Sequence, residues 1–177
     1  MEKEIITALA LGIGLAAATG FRIFLPLLIA GIASRLGFLS LNESFQWIAS
    51  NAALGSFGAA SIGEIIAFYI PFVDKLLDHI STPAAIAAGT VISASVLPVD
   101  SELVKWITGL IIGGGTAAAI QGATSALRLG SSGATAGTGN FIVATGENVA
   151  AAVTPVLTLI IPIIVALMIL GTFFVVF

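Results

Sequence analysis

The chain has 177 residues, of which 58% are hydrophobic and 8% charged, and its mean hydropathy is +1.16, an apolar load that a soluble fold has too little interior to bury. A formal net charge of -3 without any basic run excludes a nucleic-acid surface, which needs clustered Lys and Arg. The absence of cysteine excludes disulfides, thiolate metal sites and a Cys nucleophile.

One membrane domain over 1–177 is the economical organisation: an all-α, polytopic helical protein with the lipid bilayer as its first partner. The apolar run Ile5 to Ala18 follows a short charged start and imitates a secretion signal, but the apolar character continues past Arg22 to the end of the chain, so it is expected to remain as a helix. Apolar segments fall at about 5–19, 22–36, 51–70, 83–97, 103–129 and 146–177, giving six expected membrane segments. At 1.5 Å per residue the first, second and fourth reach only about 22 Å, short of a hydrocarbon layer of about 30 Å, and are expected to be partial spans. The fifth and sixth reach about 40 Å or more, enough to tilt or to project into water, and Pro155 and Pro162 are expected to kink the sixth.

Two stretches between these segments look interfacial: Glu43 to Ala49 with Trp47, and Pro71 to Ile80, apolar at Phe72, Val73, Leu76, Leu77 and Ile80 but charged at Asp74, Lys75, Asp78 and His79. Trp106 and Tyr69 stand near expected helix ends, where aromatic belts form. Six crossings would put Lys3, Arg35 and Lys105 on one side and Lys75 and Arg128 on the other, which favours cytoplasmic termini and a multi-pass protein of a bacterial inner membrane.

Small residues are abundant inside the apolar segments. Gly109 and Gly113 form a GxxxG face, continued by Gly114, Gly115 and alanines to Ala119, suited to close helix packing and to a homo-oligomer. Gly130 to Asn140 has no helical periodicity and is expected to be irregular backbone, enclosed by protein or lining a wet cavity. Gly12-Ile13-Gly14 with Ala16 to Ala18 and Arg22 echoes Gly113-Gly114-Gly115 with Ala117 to Ala119 and Arg128, and Ile70-Pro71 echoes Ile161-Pro162. These echoes allow a pseudo-repeat.

The candidate site residues are the polar groups without a local excuse. Arg22 follows Thr19-Gly20-Phe21 with Pro26 one turn on, a broken-helix signature whose second half would aim its amides at the junction and favour a negative group there. Glu64 stands among Ile62, Ile65, Ile66, Phe68 and Tyr69, where a carboxylate costs about 2.5–3.5 kcal/mol on the insertion scale unless it pairs, protonates or faces a cavity. Asp74 and Asp78 lie one turn apart on one face, either answering a cation or forming a solvated surface. Gln121, Arg128, Asn140, Glu147 and Asn148 are the polar groups of the second half, and Glu147 is expected in the first turn of the last helix. His79 is the single histidine, so no metal site is expected; no nucleophile–base pair or phosphate loop is visible, so neither an enzyme nor a cofactor is expected.

At these positions the chain resembles a bacterial membrane family known as domain of unknown function 4126. The similarity is carried by Thr19-Gly20-Phe21-Arg22-Ile23-Phe24-Leu25-Pro26, by Glu64-Ile65-Ile66-Ala67-Phe68-Tyr69-Ile70-Pro71-Phe72-Val73-Asp74 with Asp78, by Thr82-Pro83, Gln121-Gly122 and Arg128, and by Gly139-Asn140 with Glu147-Asn148. Phe141 stands where the family often has proline, which departs from its pattern. The resemblance implies that Arg22, Glu64, Asp74, Asp78, Arg128, Asn140 and Glu147 occupy signature positions, and the family's label confers no activity. The leading expectation is a transporter or channel for a small ion or polar solute. The rivals are a lipid-handling protein that holds an anionic headgroup and a structural or assembly protein whose buried charges lock helices together.

Overall fold

The computed structural model describes residues 2–135 and 137–176, apart from the side chains of Pro71, Phe72, Asp74, Lys75, Asp78, His79, Val175 and Val176. Among the described residues all regular structure is helical: α1 (Glu2–Phe21), α2 (Phe24–Arg35), a 3-10 helix (Glu43–Ala49), α3 (Asn51–Ala67), α4 (Pro71–Val96), α5 (Glu102–Thr108), a π turn (Gly109–Gly114), α6 (Gly115–Thr135), α7 (Asn140–Ile160) and α8 (Pro162–Val176).

The centre of the bundle is α1, packed against α4, α6, α7 and α8. Its small residues decide that position. A side chain added at Gly12 would come within 2.6 Å of Ser93 Oγ, and one at Gly20 within 2.7 Å of Ala117 O, so glycine lets the neighbouring helices approach at backbone distance. Leu15, Ala16, Leu27, Ala30, Ala88 and Ile92 form the apolar core around it. The 3-10 helix buries Phe45 and Ile48 against Ala94.

Several expected boundaries are corrected. Pro71 to Ile80 is not a separate interfacial segment: it is the first part of α4, and Pro83 lies inside that helix. In a membrane bundle neighbouring helices sustain a helix across a proline. Gly130 to Asn140 is not irregular as a whole, because α6 continues to Thr135. The Thr135 hydroxyl donates to Ser131 O at 2.7 Å, so hydroxyls that look like loop formers bond back to the helix. The turn proper is at Gly137 to Gly139, with Gly137 at φ +89. The sixth segment is two helices. Pro155 is buried inside α7, and the break comes at Ile161-Pro162.

By length and composition three helical stretches can cross a membrane: Glu2–Phe21, Glu102–Thr135 and Asn140–Ile160. Among the described residues Phe24–Arg35, Ile80–Val96 and Pro162–Phe174 are shorter apolar helices; they do not coincide with the six expected segments, since the segment expected at 51–70 is not among them and the one expected at 146–177 is divided in two. Gly109 and Gly113 do pack closely, but within the chain: Gly109 approaches Thr90 O and Ala94 of α4, and Gly113 meets Gly89 and Ser93.

Polar groups collect at two ends of the bundle. At one end Lys3 and Glu4 line a cavity with Leu39 and Pro98, and Ser44 donates to Glu102 at 2.9 Å. Arg22 lies at the other end of α1, about 30 Å away by helical rise, which matches one hydrocarbon thickness.

Candidate functional site

The site begins with a backbone break. α1 ends at Phe21 and α2 starts at Phe24, leaving Arg22 and Ile23 between them. Glu64, three residues before the end of α3, turns its carboxylate onto the freed amides: Ile23 N donates to Oε1 at 2.8 Å and Phe24 N to Oε2 at 3.1 Å. The negative group that the N-terminus of α2 favours is thus supplied by the chain itself.

Arg22 is fully enclosed, at 1% exposure. Its guanidinium spends every nitrogen: Nε donates to Asn148 Oδ1 at 2.7 Å, Nη1 to Phe21 O at 2.8 Å and to Glu147 Oε2 at 2.7 Å, and Nη2 to Ala144 O at 3.2 Å. Arg128, from α6 and 3% exposed, grips the same carboxylate, with Nε 3.0 Å from Glu147 Oε1 and Nη2 bonded to Oε2. Glu147 is therefore not in a first turn, since α7 starts at Asn140; it stands two turns in, held between two guanidinium groups. Planar, multidentate Arg suits such an enclosed pairing better than Lys.

Phe68 supplies the apolar surface of the cluster. The guanidinium carbons of Arg22 and Arg128 lie 4.0 and 4.1 Å from its ring centroid, within cation–π range. Next to it, Tyr69 receives a hydrogen bond from Asn148 Nδ2 at 3.2 Å, shares one with Thr145 at 2.9 Å, and stacks on Phe141 at 6.2 Å. Phe68 was not a candidate from sequence, although it follows Glu64 by four residues and so lies on the same helix face. Tyr69 looked like a belt residue and is instead part of the hydrogen-bond network.

The remaining candidates divide. Asn148 joins the network through Arg22. Asn140 begins α7 and donates to Ser132 Oγ at 3.0 Å, which fastens the α6–α7 turn. Gln121 is buried on α6, two turns before Arg128, with Nε2 3.4 Å from Ser125 Oγ. The side chains of Asp74 and Asp78 lie outside the described residues, and only their backbone in α4 is placed. The helix break signalled by Thr19-Gly20-Phe21-Arg22 falls at Arg22 and Ile23, and Gly133, within the stretch expected to be irregular, is inside α6.

Beside Glu64 is a cavity of about 320 Å³ between α2, α3 and α4, lined by Ile23, Phe24, Gly63, Glu64, Phe68 and Ser81 among others. Ser61, one turn before Glu64 and 4% exposed, has a hydroxyl with no hydrogen-bond partner among the described residues. Among the described residues no group of three or more His, Cys, Asp or Glu side chains is gathered to hold a metal ion.

The pattern that defines the family described as "Domain of unknown function (DUF4126)" matches residues 9–177. The chain belongs to this family. The match takes in α2 to α8 and most of α1, and so every residue of the cluster. No curated protein and no solved structure matches the chain.

Proposed function

We propose that this protein moves a small ion or polar solute across a membrane, and that Glu64 is the group the moving species meets. The observation that carries the reading is the unequal treatment of two carboxylates in one cluster. Glu147 is gripped by two guanidinium groups, whereas Glu64 is held by two backbone amides and borders a cavity. Buried ionisable groups are costly in an apolar bundle. A pair that only locks helices together needs no cavity and no broken helix, while discontinuous helices that present amides to a cavity are how many transporters bind ions. In this reading Glu147 with Arg22 and Arg128 is the rigid frame, and Glu64 is the exchangeable part.

Flux measurement in sealed vesicles tests it. Purified protein should conduct at least one class of small ion or polar solute, and Glu64→Gln should abolish the flux or alter its selectivity without loss of fold. A screen of cations, anions and polar solutes that finds no flux with the wild-type protein would defeat the reading.

A lipid-handling function is the second reading. A groove of about 1140 Å³ runs along α6 and α8, lined by Ala118, Gly122, Ala126, Leu127 and Phe173 among others. Its small apolar lining suits an acyl chain, and it lies on the helix that carries Arg128. Headgroup-dependent binding of lipid in place of flux would favour it.

A further inference from the structure

We propose that the bundle end opposite the charged cluster holds a binding site for a small zwitterion with an apolar body, the chemistry of an apolar α-amino acid. The site lies outside the cluster and does not depend on the role of Glu64.

The site is a cavity of about 580 Å³ whose main wall is one face of α1. Lys3, Glu4, Thr7, Ala8 and Leu11 line it, and their spacing by three, four, seven and eight residues brings them onto a single helix face. Along that face the chemistry changes with depth. The outer part carries an ammonium, a carboxylate and a hydroxyl, and the inner part carries only Ala8 and Leu11, over about 12 Å of rise from Lys3. Leu39, from the stretch after α2, and Val96, from the end of α4, close the floor; both are buried and belong to the same core cluster as Leu15. A volume of this size, with a few polar groups above an apolar floor, is the form that small-molecule sites take between helices.

The rim sets the charge of the guest. Lys3 and Glu4 are exposed whereas Ala8, Leu39 and Val96 are buried, so the charged pair stands at the mouth. A simple cation there meets the repulsion of Lys3, and a simple anion that of Glu4. A molecule that carries an ammonium and a carboxylate on one carbon answers both. Thr7 Oγ1 donates to Lys3 O at 2.8 Å, so toward the cavity its oxygen is left to accept, which suits the ammonium end. Ser40, exposed on the facing wall, adds a hydroxyl that can donate to the carboxylate end.

The floor sets the body. An acyl chain reaches through about half of a hydrocarbon layer, about 15 Å, and a diacyl lipid has two of them. A closed floor about 12 Å below the mouth admits a body the size of a leucine side chain instead.

The test uses the full-length protein in nonionic detergent, with the thermal unfolding midpoint followed at constant ionic strength against four probes: leucine, isoamylamine, isocaproate and glycine. Isoamylamine lacks the carboxylate, isocaproate the ammonium and glycine the apolar body. Leucine should stabilise in a saturable way, the midpoint rising with the logarithm of its concentration. Each of the other three should bind about tenfold more weakly or worse, the value of one hydrogen bond to a charged group or of one buried aliphatic side chain. Lys3→Gln should erase the preference for leucine over isoamylamine, and Glu4→Gln the preference over isocaproate, a pairing of variant with analogue that a general loss of stability does not produce. Ser40→Phe, at an exposed position, should block the mouth and abolish the response with both charges kept. If a charge variant does not fold, the four-probe series on wild type and Ser40→Phe decides alone. Isoamylamine or isocaproate binding as well as leucine overturns the zwitterion class. Equal response to all four probes, no response to any, or a leucine response unchanged in the variants overturns the site. Stabilisation by phosphatidylethanolamine micelles without a response to leucine also overturns the proposal, because the zwitterion is then a lipid headgroup.

Discussion

At the scale of single residues, Glu147 matters because it is shared. Two guanidinium groups buried at 1% and 3% exposure depend on one carboxylate, so Glu147→Gln would take the paired anion from both at once in a dry environment. Breaking one partner of a buried ion pair typically costs about 3–5 kcal/mol. We therefore expect Glu147→Gln to lower the unfolding midpoint strongly, and Glu64→Gln, which removes no guanidinium contact, to lower it much less. Thermal unfolding of the two variants side by side measures this, and equal losses would mean that the two carboxylates have the same role. Arg22→Lys is expected to fail much like Glu147→Gln, since an ammonium cannot reach Asn148, Phe21 O, Glu147 and Ala144 O together.

At the scale of elements, glycine positions separate into those used inside the chain and those left open. A side chain at Gly89 would come 2.6 Å from Ala117 Cβ and 2.7 Å from Gly113 O, while Gly122 and Gly133 have nothing within 4 Å. Gly89→Ala should cost about 1–3 kcal/mol by overpacking, and Gly122→Ala in the same assay should be neutral or slightly stabilising, because alanine is the better helix former. Comparable losses at both would show that Gly122 has a neighbour that the isolated chain does not supply. The same contrast explains what sequence could disclose. GxxxG at Gly109 and Gly113 gave a packing face correctly, but which helix it meets depends on how the chain folds back, and α4 turned out to be that helix. The break at Arg22 was visible because Gly20, the charge and Pro26 crowd one place. The Gly130 to Thr135 helix was hidden because Ser and Thr carry poor propensity, and their back-bonding to helix carbonyls leaves no periodic apolar signal. The partner of Arg22 was also hidden, because it is the crossing of α1 with α7 that brings Glu147 to it.

At the scale of the whole molecule, the two polar ends have the spacing of a membrane, and each is built from elements far apart in sequence. Lys3, Leu39 and Pro98 meet at one end, joined there by Ser44 and Glu102, while Arg22, Arg128 and Glu147 meet at the other. The α6–α7 hairpin continues past Arg128 for seven residues to Thr135, about 10 Å of further rise, and carries Ser131, Ser132, Thr135 and Thr138, the polar side chains expected where a helix pair leaves hydrocarbon. Along the helical stretch Glu102–Thr135 the charged cluster thus lies nearer the Thr135 end than the middle. The chain has no cysteine, so single reporters can be introduced without background. Ser44→Cys and Thr138→Cys should be labelled by a membrane-impermeant maleimide from opposite faces of intact vesicles, because they belong to opposite polar ends. Labelling of both from one face would mean that α1 and α6 do not carry the chain across, and the bundle would then lie on or within one leaflet. Glu43→Cys, beside Ser44 at the start of the 3-10 helix, should follow Ser44→Cys, and by the excess of Lys3, Arg35 and Lys105 at that end it should be the face exposed to the cytoplasm.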